Sequence, residues 1–193
     1  MSQSSGARWE SQLTGRTSKQ SGARGSDRSM RLLALAREIA SASPNFQAVL
    51  GPGDGDRATH TFMGRLRERA VSAFGEDYSE RKVCGDTSLA VDFYFPDEGT
   101  IVEVALGLPN PASEFEKDIL KAIMAQESGY DVRRLFFISR PGAVKKCSQP
   151  GRSAVKEWAS AKHQLLIEVH ELEGEPRRRR RRSRSQRNRP VGA

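Results

Sequence analysis

Two short apolar segments joined by a tight turn constrain the fold of this chain most strongly. Residues 88–95 read SLAVDFYF and residues 100–107 read TIVEVALG, while the four residues between them, PDEG, have the composition of a turn. Strand-like segments on either side of such a turn predict a β-hairpin. A hairpin alone is at best marginally stable in water, so the rest of the chain must supply further strands or a covering helix.

The turn also predicts the register of the hairpin. A symmetric turn places Phe95 opposite Thr100 and Asp92 opposite Glu103. Because side chains alternate between the two faces of a strand, one face is predicted to be apolar core. That face carries Leu89, Val91, Phe93, Phe95, Val102, Val104 and Leu106. The opposite face carries Asp92 and Glu103 among Ala90, Tyr94, Ile101 and Ala105.

Helical and strand patterns alternate along the rest of the middle of the chain. Helices are predicted from Met30 to about Ala42 with Ser29 as N-cap, over 59–74, over 113–126 with Ser113 and Glu116 as a capping box, and over 150–162. Strands are predicted over 132–139 and 165–172, with a further one near 78–84, and the GPGDGD segment at 51–56 is predicted to be a turn. Strand–helix–strand units favour parallel pairing. The prediction is an α/β protein with a mixed central sheet of four to five strands flanked by helices.

Charge is unevenly distributed along the chain. The net charge is +8, yet residues 177–193 contain nine arginines and no acid, whereas residues 32–175 contain 17 basic and 22 acidic residues. Successive arginines repel one another, which predicts a disordered Arg-rich tail over 176–193. The Ser-, Gly- and Arg-rich segment 1–28 is also predicted to be disordered. Between the tails, the sequence indicates a helix and Gly-rich loop over 29–56 and one α/β domain over 57–175.

The arginine tail favours a polyanionic partner. Six of its arginines can each neutralise a phosphate and release condensed counterions: Arg177, Arg178, Arg179, Arg180, Arg181 and Arg182. We therefore expect a non-specific nucleic-acid tether; a solubilising or targeting tail and a membrane-surface contact are the alternatives. No apolar run approaches the roughly 20 residues of a membrane span. The absence of a secretory signal and the low number of cysteines, two, indicate a cytoplasmic protein.

Asp92 and Glu103 are the strongest candidates for chemistry. Opposed carboxylates in apolar strands repel each other, and a hard divalent cation removes the conflict, because Mg²⁺ is typically held by one or two carboxylates with waters and phosphate oxygens. The pair therefore predicts a site for Mg²⁺ or Mn²⁺. The alternative is a solvated face on which an arginine or lysine binds one acid. Glu116 falls inside the apolar arc of the next helix and is a candidate third ligand, although a capping role explains the same residue.

The order of helix, acid-bearing hairpin, helix, strand, helix and strand over 59–172 resembles the PD-(D/E)xK, or restriction-endonuclease-like, nuclease superfamily. In that family an Asp precedes a turn, and an acid-x-Lys motif follows on the next strand. Val91-Asp92 stands where Pro-Asp would, and Glu103-Val104-Ala105 stands where Glu-x-Lys would. The resemblance implies a restriction-endonuclease-like core, with Asp92 and Glu103 as metal ligands, the Val104 carbonyl as a further ligand, and Glu116 as an added acid.

Ala105 departs from the motif, because the family has a lysine there that positions the attacking water and stabilises the phosphate. Some members carry this lysine on the neighbouring helix, where Lys117 and Lys121 are the candidates, although both are predicted to point away from the apolar arc. Two functions follow. One is a Mg²⁺- or Mn²⁺-dependent nuclease acting on DNA, and the other is an inactive nucleic-acid-binding or assembly protein on the same fold. The sequence leaves a regulatory domain without nucleic acid, and a homodimer, open.

Overall fold

The structure is a computed structural model that describes residues 27–43, 54–110 and 114–172. The helices are α1 Arg28–Ser41, α2 Asp54–Phe74, α3 Phe115–Glu127, α4 Ala143–Cys147 and α5 Pro150–His163. The strands are β1 Ser79–Arg81, β2 Val91–Phe95, β3 Thr100–Glu103, β4 Arg134–Ser139 and β5 Leu166–Glu171, and a 3₁₀ turn at Pro96–Glu98 joins β2 to β3. Within these ranges, none of the helices combines the length and the apolar character that crossing a bilayer requires.

The strands form one five-stranded mixed sheet in the order β1-β2-β3-β4-β5. β1, β2 and β3 pair antiparallel, whereas β3, β4 and β5 pair parallel. The difference follows from the connections: a tight turn can join only antiparallel neighbours, while α3 and α5 provide the long crossovers that parallel neighbours need. The predicted α/β class and mixed sheet of four to five strands are therefore confirmed.

Each face of the sheet is covered by its own apolar core. One core joins α1 and α2 to the strand residues Phe93, Phe95, Val102, Phe136 and Ile138. The other joins α3 and part of α5 to Tyr94, Ile101, Leu135, Phe137 and Ile167. The sheet is thus the middle layer of three, and α3 is packed against the face that carries Asp92 and Glu103.

The hairpin register agrees with the prediction. Phe93 pairs with Val102, Tyr94 with Ile101 and Phe95 with Thr100. The faces also alternate as expected from Phe93 onward, since Phe93 and Phe95 lie in the first core and Tyr94 in the second. Leu89 and Val91 are exceptions, because both pack with the second core. Val91 is the first residue of β2 and Leu89 precedes it, so the alternation of the strand begins only after them.

The start of α1 differs from the prediction. Asp27, not Ser29, caps the helix: the Asp27 side chain accepts a hydrogen bond from the backbone N–H of Met30 at 3.2 Å. Ser29 is buried inside the first turn, and its hydroxyl donates to Asp27 Oδ1 at 2.7 Å. Asp27 and Arg28, predicted to belong to a disordered tail, are therefore the cap and the first residue of this helix. The remaining tail predictions lie outside the described residues.

The predicted helices also differ from the structure at the start of α2, at α4 and at the start of α3. Residues 54–56, predicted as a turn, begin α2, and residues 51–53 lie outside the described range. The five-residue helix α4 was not predicted, because it is too short to show helical periodicity. Glu114 is the N-cap of α3 without a capping side-chain bond, and Ser113 of the predicted capping box lies outside the described residues.

A carboxylate from the hairpin turn fixes the start of α1. Glu98 accepts hydrogen bonds from the backbone N–H groups of Arg28 and of Ser29, the latter at 3.3 Å, and from Arg134 Nη2 at 3.1 Å. Its side chain is 14% exposed. An anion is favoured at this end of a helix because the first N–H groups lack partners within the helix.

We expect Glu98→Ala to lower the free energy of unfolding by about 1–2 kcal/mol, the usual cost of losing a helix cap and charged hydrogen bonds. Urea denaturation measures the change. Asp97→Ala is the matched control, because Asp97 lies in the same turn but is 68% exposed and contacts the Arg28 guanidinium. An equal loss of stability in both variants would contradict a capping role for Glu98.

Candidate functional site

The hairpin brings Asp92 and Glu103 to the sheet face that α3 covers. They are the next residues beyond the Phe93–Val102 pair, which is the last β2–β3 pair on the side away from the turn. The Asp92 carboxylate accepts a hydrogen bond from the backbone N–H of Val104 at 2.8 Å. Glu103 is 3% exposed and Asp92 is half-buried. The two acids therefore lie side by side, one inside the protein and one at its margin.

α3 adds a third acid and a lysine to this pair. Lys121 Nζ donates a hydrogen bond to Glu103 Oε1 at 2.9 Å and lies 2.8 Å from Asp118 Oδ1. The side chains of Glu103 and Asp118 are each 4% exposed, and that of Lys121 is 10% exposed. We call Asp92, Glu103, Asp118 and Lys121 the acid–lysine cluster.

The contact between Asp118 and Lys121 is a buried ion pair. Asp118 Oδ1 lies 2.8 Å from the Lys121 ammonium nitrogen, which is its cationic partner. A buried charge without such a partner costs free energy, so Asp118 depends on Lys121 for its neutralisation.

Burial and like charge dominate the electrostatics of the cluster. Burial raises the pKa of Glu103 well above its ordinary value, and the charges of Asp92 and Asp118 raise it further, against the opposing effect of Lys121. Burial also raises the pKa of Asp118, with Lys121 again opposing and Asp92 adding to the increase. Burial alone would lower the pKa of Lys121, but Glu103 and Asp118 outweigh burial and raise it. Lys121 is therefore a permanent cation at neutral pH.

The cluster contains three carboxylates and one ammonium, so it has an excess of negative charge when all four groups are ionised. Either protons or a cation must balance that excess in a buried site. Within residues 27–43, 54–110 and 114–172, no group of three or more His, Cys, Asp or Glu side chains is arranged to hold a metal ion. The described carboxylates have partners within the protein instead: Glu103 and Asp118 pair with Lys121, and Asp92 accepts a hydrogen bond from the Val104 N–H.

Two of the predicted site residues lie away from the cluster. Glu116 is 60% exposed, and its nearest cation is Arg152, whose Nε lies 3.9 Å away. Lys117 is 52% exposed and lies 3.2 Å from Glu114. The prediction that Glu116 lies inside the apolar arc is therefore wrong, and Asp118 is the acid that α3 brings to the sheet.

The error lies in the apolar face assigned to α3. The arc around Glu116 contains Phe115, Ile119, Ile123 and Leu120. Phe115 and Ile119 are buried, but Leu120 is 54% exposed and Ile123 is half-buried. The buried face instead contains Phe115, Asp118, Ile119, Ala122 and Ala125, and Lys121 is buried beside it. With about 100° of rotation per residue, the centre of this buried face lies about 30° around the helix axis from Phe115, on the side away from Glu116. Asp118 therefore lies within the buried face, and Lys121 lies at its edge. The small residues Ala122 and Ala125 were the sequence signal for this close-packed face.

The remaining predicted site residues are Val104 and the arginines of the tail. The Val104 carbonyl accepts a hydrogen bond from the backbone N–H of Leu106 at 3.2 Å, which leaves it a second lone pair. Arg177–Arg182 lie outside the described residues.

The two cysteines do not have the properties of nucleophiles. Burial raises the pKa of both the Cys84 and the Cys147 thiol, whereas a reactive cysteine needs a lowered pKa.

Comparisons of this chain with models of known protein families, with curated proteins and with solved structures find no match.

Proposed function

We propose that this protein is a Mg²⁺- or Mn²⁺-dependent nuclease of the PD-(D/E)xK kind that hydrolyses phosphodiester bonds in DNA. The observation that carries the proposal is the contact of 2.9 Å between Lys121 Nζ and Glu103 Oε1. It supplies a lysine from α3 at the acid pair, which is where the family needs one and where Ala105 of this chain has none.

The element order supports the proposal. β1, β2 and β3 form an antiparallel unit, and α3 then leads to β4, which pairs parallel on the other side of β3. The two acids come from β2 and β3, so they belong to the central strands rather than to an edge. This arrangement has the helix, hairpin, helix and strand order on which the family resemblance rests.

Asp92 and Glu103 would hold the divalent ion, with the Val104 carbonyl as a further ligand. When bound, such an ion polarises a phosphate and lowers the pKa of a coordinated water. The Lys121 ammonium would stabilise negative charge on the phosphate, and the low exposure of the cluster strengthens that interaction because little water screens it. Asp92, which is half-buried, would be the member of the cluster nearest to a bound substrate.

An inactive nucleic-acid-binding or assembly protein on the same fold is the second candidate. The observation that favours it is the burial of Glu103, Asp118 and Lys121, whose side chains are at most 10% exposed and form two ion pairs through the one lysine. Such a cluster can serve stability alone. The two candidates differ in one measurable property, since only the nuclease needs a divalent ion for its activity.

The test is cleavage of plasmid DNA with Mn²⁺ by the wild-type protein and by Asp92→Asn. Asparagine can still accept the hydrogen bond from the Val104 N–H, so the variant removes charge and keeps the local geometry. We expect the wild type to cut only with the metal and Asp92→Asn to cut at least about tenfold more slowly.

Asp97→Asn is the control for this experiment, because Asp97 belongs to the same hairpin but lies in the exposed turn. Its cleavage rate should equal that of the wild type. Equal rates for Asp92→Asn and wild type would remove Asp92 from the mechanism. A wild-type protein that binds DNA and does not cut it with Mn²⁺ or Mg²⁺ would favour the inactive candidate.

A further inference from the structure

We propose that Asp118 is the positioning residue for Lys121, an inference that rests on the proposed nuclease function. Asp118 Oδ1 lies 2.8 Å from Lys121 Nζ, three residues before it on the same helix. Neither the family motif nor the sequence pattern assigns this aspartate a role. In this proposal Asp118 does not touch the DNA and acts only through the ammonium group.

The geometry divides the partners of Lys121 into two kinds. Glu103 comes from β3 and is a proposed ligand of the divalent ion, whereas Asp118 comes from α3 itself. An ion that engages Glu103 competes with Lys121 for the same carboxylate. Asp118 is then the carboxylate that keeps the ammonium group at the site, and because it belongs to the same helix, any shift of α3 moves both residues together.

A long flexible side chain needs such a partner. A lysine side chain loses up to about 2 kcal/mol of rotamer entropy when it is fixed, so a single competing contact leaves it free to move. A displacement of about 1 Å in a group that acts on the transition state can reduce the rate by roughly 10²-fold. The distances within the cluster therefore favour a role for Asp118 in the rate of the reaction rather than in the binding of DNA.

α3 contains a natural comparison pair. Glu114 and Lys117 have the same spacing of three residues and a separation of 3.2 Å, yet their side chains are 69% and 52% exposed. The Asp118–Lys121 pair, at 4% and 10%, is excluded from water. The two pairs have the same spacing but differ in burial. Comparing them therefore distinguishes the effect of a buried positioning contact from the effect of an ordinary exposed ion pair on a helix.

The experiment is a double-mutant cycle of Asp118→Asn and Lys121→Gln, with Glu114→Gln as the matched control. Asparagine has nearly the same shape as aspartate, and glutamine keeps hydrogen-bonding capacity, so both variants spare the packing. Cleavage of a fluorogenic DNA oligonucleotide with Mn²⁺ gives kcat and KM for each variant. Mn²⁺ affinity is measured by electron paramagnetic resonance without DNA.

We expect Asp118→Asn to lower kcat by about 10- to 100-fold and to leave KM and Mn²⁺ affinity within about twofold. The double variant should be no slower than Lys121→Gln alone, because a residue that acts only through Lys121 has no effect once the ammonium is gone. Glu114→Gln should equal the wild type. Multiplicative effects of the two substitutions, or a loss in Mn²⁺ affinity, would overturn the positioning role.

A second measurement does not depend on activity. In protein labelled with ¹⁵N-lysine, the ammonium signal that Lys121→Gln removes belongs to Lys121, and its hydrogen exchange should be at least about tenfold faster in Asp118→Asn than in the wild type. If the hydrogen exchange of the Lys121 ammonium group is the same in Asp118→Asn as in the wild type, Asp118 does not hold this group in place and the positioning role is wrong. If the wild type cuts DNA and Asp118→Asn cuts equally well, only the role of Asp118 fails. If the wild type does not cut, the proposed function fails, and the positioning role fails with it.

Discussion

Lys121→Met is expected to lower the free energy of unfolding by about 3–5 kcal/mol, the usual cost of removing one partner from a buried charge pair. Methionine has a similar length, so the change removes the charge with little loss of volume. Glu103 and Asp118 would then remain inside the protein without their cation. Chemical denaturation monitored by circular dichroism measures the loss.

The free energy of unfolding that Lys121→Met loses should increase as the pH rises. Glu103 and Asp118 have ordinary pKa values of 4.5 and 3.8, and both values are raised in the folded protein. The folded state therefore binds more protons than the unfolded state above those ordinary values, and stability decreases as the pH rises toward the raised values. Removing Lys121 raises both pKa values further, so the variant should be closer to the wild type at pH 5 than at pH 8.

Lys117→Met is the control for this prediction, because Lys117 is an exposed lysine on the same helix. It should change the free energy of unfolding by at most about 0.5 kcal/mol. Adding Glu103→Gln to Lys121→Met should restore part of the loss, since one of the unpaired carboxylates disappears. A small, pH-independent effect of Lys121→Met would mean that bound protons or another cation already neutralise the cluster.

The sequence predicted the hairpin well because its determinants are local. The turn at residues 96–99 sets the register, and the alternation of side chains sets the faces, so the neighbouring positions of Asp92 and Glu103 needed no information from the rest of the chain. The mixed sheet followed from the same logic, because connection length decides between antiparallel and parallel pairing.

The rest of the candidate site depends on how α3 packs against the sheet. Apolar residues lie almost all around this helix, with Leu120 exposed and Ile119 buried, so periodicity alone could not select the buried face. The packing places the small residues Ala122 and Ala125 against the sheet, and this rotation buries Asp118 and brings Lys121 to Glu103. A buried aspartate and lysine violate the rule that apolar residues define the inner face. For this reason the sequence did not single out Asp118, and Lys121 was wrongly predicted to point away from the apolar arc.

Deletion of residues 177–193 is expected to remove most of the affinity for DNA at low salt. Six contacts from Arg177–Arg182 to phosphates would contribute a slope of about −5 to the dependence of log affinity on log salt. The advantage of the full chain over the truncated chain should then fall by about 10³-fold between about 50 and about 200 mM salt. Fluorescence anisotropy with a short DNA duplex, in EDTA to prevent cleavage, measures both affinities.

Two full-length variants separate charge from chain length in this prediction. Replacing Arg177–Arg182 with lysines keeps six positive charges and should preserve the salt slope. Replacing them with glutamines should remove most of the slope, leaving the smaller part due to Arg184, Arg187 and Arg189. The segment 32–175 has more acidic than basic residues, so it is expected to repel DNA when the tail is absent. If the truncated chain and the full chain bind with the same slope, the DNA contacts lie on the α/β domain instead, and the tail has another role.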